Sequence, residues 1–296
     1  MDTRFRKFDL TGKAALVTGG GTGLGFHMAR ALLQAGAQVM IASRREEVLR
    51  ASVARLREET SSELAYYATV DLSEPQGIQS LVQRAYATLG NIDILIGNAG
   101  LDAVDQVDVV SDEAITAMCQ VNIAANVSLV RAVLPAMRKR KWGRIIFSSS
   151  CASIRASAKE GMGMYAAVKG ALNAFARAAA AEAGHDGITV NSLLFGIFET
   201  DVVRAASARL ERATPGGGKA FYDSFSSMVM LGRWGSLEEI EGLIQFVASD
   251  AASYLTGTNL LYDGGLSAML RPHAPAEAPV HPNWIAASLA TRKPVE

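Results

Sequence analysis

Ala14-Ala15-Leu16-Val17-Thr18-Gly19-Gly20-Gly21-Thr22-Gly23-Leu24-Gly25, followed by the apolar-periodic run Phe26 to Ala35, decides the fold. An apolar run of β type that breaks into glycines and then takes up helical spacing reads as a strand, a tight turn and a helix N-terminus. The first helical turn leaves backbone N–H groups without partners and carries partial positive charge, so a pyrophosphate fits there. Glycines let the backbone come close to it. The strict G-x-G-x-x-G order is absent because Phe26 stands where its last glycine would be; the order is T-G-x-x-x-G-x-G, on Gly19, Gly23 and Gly25. From this segment alone, an ordinary Gly-rich turn without a ligand stays open.

Outward from the turn, strands and helices alternate. Gln38 to Ala42 reads as a second strand and Glu46 to Glu59 as an amphipathic helix. Leu64 to Val70 reads as a strand ending at Asp71, Gln76 to Leu89 as a helix, and Ile92 to Ile96 as a strand running into Gly97-Asn98-Ala99-Gly100. A helix from Asp112 to Lys139, a strand Arg144 to Phe147 before Ser148-Ser149-Ser150, a helix Met164 to Ala183 and a strand Ile188 to Leu193 follow. Helix Leu237 to Ala248 and strand Asn259 to Tyr262 close the pattern. Strands joined by helical crossovers imply one doubly wound parallel sheet of Rossmann type, an α/β fold whose ligands bind at the carboxyl ends of strands. Thr18, Asp71, Asn98, Ser150 and the segment after Leu194 are therefore expected to share one cleft. Residues 1–270 form one catalytic domain in this reading. The alternation lapses between Ile197 and Trp234, where Phe198, Phe221, Tyr222, Phe225, Met228, Met230 and Trp234 surround Pro215-Gly216-Gly217-Gly218. An irregular insertion of this kind reads as a lid over an apolar pocket. Residues 271–296 are a tail with five of the chain's eight prolines.

With 29 basic and 29 acidic residues among 296, no net field draws in nucleic acid or an anionic membrane surface. No apolar h-region opens the chain and no run is expected to span a bilayer. Cys119 and Cys151 form no spaced cluster, which predicts neither disulfide framework nor metal site and points to a reducing, cytoplasmic setting. Cys151 reads as a packed small side chain in preference to a nucleophile. His27, His185, His273 and His281 are expected in surface or capping roles.

The chemistry is suggested by Tyr165-Ala166-Ala167-Val168-Lys169, which puts a phenol and an ammonium one helical turn apart. Lowering a phenol from its ordinary pKa near 10 by three units takes about 4 kcal/mol, and one cation about 4 Å away at an effective dielectric near 20 supplies roughly that. Lys169 is the expected cation. Ser150 at its strand end is placed to hydrogen-bond a substrate oxygen while a hydride moves to or from the carbon bearing it.

Together with Thr18 to Gly25, Asp71, Asn98-Ala99-Gly100, Asn122, Ser150, Tyr165-x-x-x-Lys169 and Tyr262-Asp263-Gly264-Gly265, these features resemble the short-chain dehydrogenase/reductase family over residues 8 to 270. The resemblance implies a tetrad of Asn122, Ser150, Tyr165 and Lys169, with Asn122 holding a water that leads protons towards Lys169. It implies a cofactor site built from Thr18, Gly19, Gly21, Thr22, Gly23, Leu24, Gly25, Ser43, Arg44, Asp71, Leu72, Asn98, Ala99, Gly100, Tyr165, Lys169, Ile197 and Thr200. It further implies pairing through two long helices into a homotetramer or homodimer. Three departures stand out: Gly97 where the family often has Asn, Phe195 where it often has Pro, and two extra positions between Ser150 and Tyr165.

The cofactor expected is NADP(H). Ser43, which lies 18 residues past Gly25 (43 − 25), stands where NAD-using folds place a carboxylate for the ribose 2′-hydroxyl. Arg44 follows with a planar fork suited to a 2′-phosphate, and Arg45 is the weaker candidate. The function expected is interconversion of a carbonyl and an alcohol on a bulky apolar substrate. Reduction of an activated C=C bond and a non-catalytic NADP-binding regulator remain as alternatives.

Overall fold

The central strands are short apolar runs buried on both faces, which is what a parallel sheet covered by helices on each side requires. A computed structural model describes residues 3–102, 105–156 and 161–269. In chain order the elements are β1 (Ala14–Thr18), α1 (Gly23–Gln34), β2 (Gln38–Ser43), α2 (Glu46–Thr60), β3 (Ala65–Thr69), α3 (Pro75–Leu89) and β4 (Ile94–Gly97). Next come α4 (Asp112–Met118), α5 (Ala125–Arg140), β5 (Gly143–Ser150), α6 (Gly163–Ala183) and β6 (Ile188–Phe195). The last are α7 (Asp201–Ala213), α8 (Gly217–Ser226), α9 (Ile240–Ala248) and β7 (Asn259–Tyr262). All seven strands run parallel in the order β3-β2-β1-β4-β5-β6-β7. The fold is thus an α/β fold of Rossmann type, and its order reverses between β1 and β4, where a ligand crevice opens.

Alternate residues of each strand go to opposite faces. Leu16, Met40, Leu95, Ile145 and Phe147 pack with α3, α5 and α6. Ala15, Val17, Ile41, Ile94 and Ile146 pack with α1, α2 and α9. Once both layers are filled, the carboxyl ends of β1, β4, β5 and β6 are held at one rim of the sheet.

Several expectations need correcting. Residues 197–234 are not irregular: they hold α7 and α8. Pro215 to Gly218 reads as a breaker, but Thr214 to Gly216 turn the chain and Gly217 and Gly218 already open α8. The Glu211 carboxylate on α7 accepts the N–H groups of Gly216 (3.0 Å) and Gly218 (2.9 Å) and so caps α8. The expected helix from Asp112 to Lys139 contains a π-turn, Cys119–Ala124, between α4 and α5. That continuous run is long and apolar enough to cross a membrane, contrary to expectation, yet Met118, Leu129, Val133 and Met137 are buried in the core. His27 is buried rather than superficial; its ring and the Arg30 Nε share Glu241 at 2.9 and 2.7 Å, tying α1 to α9. β5 includes the three serines, and β6 runs on to Phe195 because its whole length is buried. The tail 271–296 lies outside the described residues.

Candidate active site

A cavity of about 1180 Å³ runs along the rim, from the glycine turn to α8. At its first end backbone meets backbone. Gly19 has φ +65°, and a Cβ there would lie 2.9 Å from the Ala99 Cα; one on Gly25 would lie 2.2 Å from the Gly19 carbonyl oxygen. Side chains lock this contact from outside. The Thr18 hydroxyl accepts the N–H groups of Asn98 (3.1 Å) and Ala99 (3.2 Å), while the Asn98 amide donates to the carbonyls of Thr18 (3.1 Å) and Gly19 (3.2 Å). The N-terminus of α1 thus faces the cavity without a side-chain cap, since Thr22 makes no capping bond. Ser43 ends β2, and Arg44 beside it helps hold the Asp71 carboxyl below its usual range, after the larger effect of the Ser73 hydroxyl and N–H.

Further along, α6 carries Tyr165 and Lys169 towards the end of β5. Lys169 is almost wholly buried, and burial lowers its ammonium to about 8 against the opposing field of Asp102. Its Nζ donates to the Ser148 carbonyl (2.8 Å) and lies 5.6 Å from the Tyr165 ring centroid. Burial pushes the Tyr165 phenol up, with the Ser150 hydroxyl pulling the other way and Asp102 and Cys151 adding to the rise. In the resting chain burial outweighs the lowering expected of Lys169. Both groups are desolvated together, so the resting phenol keeps its proton. The Ser150 hydroxyl oxygen accepts the Ala152 N–H (3.1 Å), which leaves its own proton free to donate.

Asn122 is completely buried in the π-turn. Its amide donates to the carbonyls of Leu101 (2.9 Å) and Met118 (3.0 Å), and its Oδ1 has no partner among the described residues. That oxygen faces the Gly100 backbone: a Cβ on Gly100 would sit 2.7 Å from it and 3.4 Å from the Lys169 Nζ. Asn126, one turn later, donates to the Asn122 carbonyl (2.9 Å). A helix interior rarely holds a π-turn without cause, and such turns concentrate at functional sites.

The family model for short chain dehydrogenases matches residues 13–211. The chain is a short-chain dehydrogenase. It is similar to the 3-oxoacyl-(acyl-carrier-protein) reductase of Chlamydia muridarum, 33% identical over 258 residues that cover 87% of this chain and 98% of the relative. Among solved structures it resembles L-sorbose reductase from Gluconobacter frateurii in complex with NADPH and L-sorbose (TM-score 0.84, 27% identity, 89% of this chain and 100% of that one). It also resembles a gluconate 5-dehydrogenase from Burkholderia cenocepacia in complex with NADP and tartrate (TM-score 0.80, 32% identity, 90% and 100%). The dehydrogenase is accordingly an oxidoreductase that works with a nicotinamide dinucleotide and a small-molecule substrate.

In this dehydrogenase most of the expected site residues meet at the cavity: Gly19, Gly21, Thr22, Leu24, Gly25, Ser43, Arg44, Asp71, Leu72, Asn98, Ala99, Gly100, Ser150, Tyr165, Lys169, Ile197 and Thr200 all line it. Thr18, Gly23 and Asn122 do not. Thr18 is spent inside the turn; Gly23 has φ +53° and lies behind Thr200, whose Cγ2 would be 3.6 Å from a Cβ placed there; Asn122 sits behind Gly100. Cys151 is buried and its thiol is pushed up by burial, as a packed side chain requires. The substrate end was largely missed. Asp102, Gln106, Val107, Arg155 and Leu266 line it, and only proximity in sequence to Gly100, Ser150 and Gly265 could have hinted at them. Above them, Phe221, Tyr222 and Phe225 gather round Trp234 with centroids 5.3 to 5.7 Å from its ring.

Proposed function

We propose that the protein interconverts a carbonyl and an alcohol with NADP(H), Tyr165 serving as general acid and base. The observation that supports this best is one cavity holding Tyr165, Lys169 and Ser150 at one point and the glycine turn at another. The close approach at Gly19 and Gly25, which a Cβ would block, fits a dinucleotide pyrophosphate held by the free N–H groups of α1. Arg44 beside Ser43 fits a 2′-phosphate better than a 2′-hydroxyl. When bound, the dinucleotide supplies or accepts the hydride.

The remaining work falls to the chain itself. A phenol kept protonated by burial is the form needed to protonate a carbonyl oxygen during reduction. Ser150, its oxygen already bonded to the Ala152 N–H, points its proton at the same substrate oxygen. Lys169, anchored by the Ser148 carbonyl, sets the field in which the phenolate forms and is the source from which it regains a proton. The orphan Oδ1 of Asn122, across Gly100 from Lys169, is suited to hold a water on that path. The aromatic group round Trp234 favours bulky, apolar substrate bodies.

We take residues 1–270 as one catalytic domain, acting in the cytoplasm as a homotetramer or homodimer. The first half of the exposed face of α6 presents small residues, Ala167, Ala171 and Ala174, before Arg177, which suits close helix pairing there. The test of the reaction is oxidation of NADPH and NADH with a panel of ketones and enones. Tyr165→Phe is expected to lower turnover at least about a hundredfold while NADPH binding stays within twofold. Near-normal turnover in that variant, or reduction of enones only, overturns the assignment.

A further inference from the structure

Six charged side chains line the cavity among the described residues. Arg44, Arg45 and Asp71 belong to the adenosine end, and Lys169 to the catalytic pair. That leaves Asp102 and Arg155 at the substrate end. They stand apart in function: the field of Asp102 falls on Lys169 and Tyr165, whereas that of Arg155 falls on Cys151, the residue after Ser150. The chain after β5 is turned so as to place Arg155 there, its N–H bonded to the Cys151 carbonyl (3.2 Å). No ion pair joins Arg155 to any acidic side chain among the described residues, Asp102 included.

Apart from Asp102, Gln106 and the catalytic group, the side chains that line this part of the cavity are largely apolar, among them Val121, Met162, Phe221, Phe225, Trp234 and Leu266. A cation beside an apolar chamber is poorly matched to a wholly apolar ligand, because filling the chamber strips its water without replacing it. A planar carboxylate replaces that water with two parallel hydrogen bonds. We propose that the substrate is an oxo-acid: its carboxylate pairs with Arg155, its carbonyl meets Ser150 and Tyr165, and its apolar body packs under Phe221, Phe225 and Trp234. This rests on the carbonyl–alcohol reading given above and narrows it to one substrate class.

The binding test uses probes that cannot be reduced. Calorimetry of the NADP-loaded protein with 4-isopropylbenzoate, 4-isopropylbenzamide and 4-isopropylphenyl phosphate is expected to show the carboxylate binding at least about tenfold tighter than the amide, the scale of one charged hydrogen bond. Arg155→Ala is expected to remove that preference and leave amide binding within twofold, and Arg155→Lys to keep part of it. Equal binding of acid and amide by the parent, equal weakening of both by Arg155→Ala, or tighter binding of the phosphate overturns the proposal. Turnover is then read with 4-acetylbenzoate and its methyl ester. A carboxylate preference that depends on Arg155, with neither ketone reduced, supports the anion site and overturns the reaction assignment instead. Reduction of both ketones at equal kcat/KM, unchanged by Arg155→Ala, keeps the reaction and overturns the anion site.

Discussion

At Gly19 and Gly25 the wall of the cleft is backbone, held so close to Asn98 and Ala99 beyond β4 that no Cβ fits. Around Trp234 it is side chains, four aromatic rings brought together from α8 and the segment after it. Backbone walls recognise what every dinucleotide shares, the pyrophosphate and sugar; side-chain walls recognise what differs from one substrate to another. The first kind of wall cannot change without breaking the sheet, and the second can change one residue at a time.

Gly25→Ala is the severest test of that contrast. Its methyl group would stand 2.2 Å from the Gly19 carbonyl oxygen and 2.5 Å from the Asn98 amide nitrogen. Neither neighbour can retreat without opening the β1–β4 contact, so we expect a cost of at least about 3 kcal/mol, the upper range for overpacking. NADPH titration by fluorescence, with thermal unfolding alongside, checks this; affinity within threefold of the parent would mean that the turn is softer than the geometry implies.

Lys169 lies between the two halves, and its burial ought to trade stability for function. The folded ammonium is lowered from 10.5 to about 8, a penalty of about 3 kcal/mol at neutral pH at 1.36 kcal/mol per unit. Below pH 8 both folded and unfolded chains hold the proton, and the fold bears the full penalty. Between 8 and 10.5 the unfolded chain binds a proton that the folded chain has released, so stability from this group rises with pH. Lys169→Met is therefore expected to be inactive yet more stable at pH 7, by up to about 3 kcal/mol, with the gain shrinking as the pH approaches 10.5. Urea unfolding of both proteins across that range reads the slope directly, and a variant less stable at every pH overturns the account.

At the adenosine end, Arg44→Ala should cut the preference for NADPH over NADH by roughly 10- to 150-fold, the worth of one charged hydrogen bond. Ser43→Asp should reverse it. The ratio of kcat/KM values for the two dinucleotides is the measurement; a parent that prefers NADH, or a ratio that moves less than twofold in Arg44→Ala, speaks against a 2′-phosphate site there. The substrate wall should yield the smallest effect. Phe225→Leu keeps most of the apolar volume beside Trp234, so KM for a bulky ketone should change by no more than about tenfold, within the range of a small hydrophobic trim, while NADPH affinity stays within twofold. A large loss of NADPH affinity would show that the halves are coupled.

How far each half could be read beforehand follows from its material. The glycine turn, the absence of a carboxylate at Ser43 and the Tyr165–Lys169 spacing are local patterns, set by backbone sterics and helical periodicity within a few residues. The π-turn at Asn122 escaped notice because it depends on Asn126, Leu101 and the β5 side of the sheet, none of which shows in the residues of the turn. The helices α7 and α8 escape a local reading because Pro215 to Gly218, which end the turn and open α8, look like the interior of a loop until Glu211 reaches across to cap the second helix. His27 reads as a surface residue in its local sequence because its partner Glu241 lies 214 positions away.

By itself, then, the sequence determined the parallel doubly wound fold, the glycine turn after β1 and the one-turn spacing of Tyr165 and Lys169, since each follows from the period of a strand or helix and from the steric freedom of glycine. Tertiary structure alone decided the protonation of that pair and the shape of the substrate end. Burial depends on everything packed around a group, which is why it holds the proton on Tyr165, draws Lys169 down to about 8 and brings Asp102, Arg155 and Leu266 into one chamber from three distant segments.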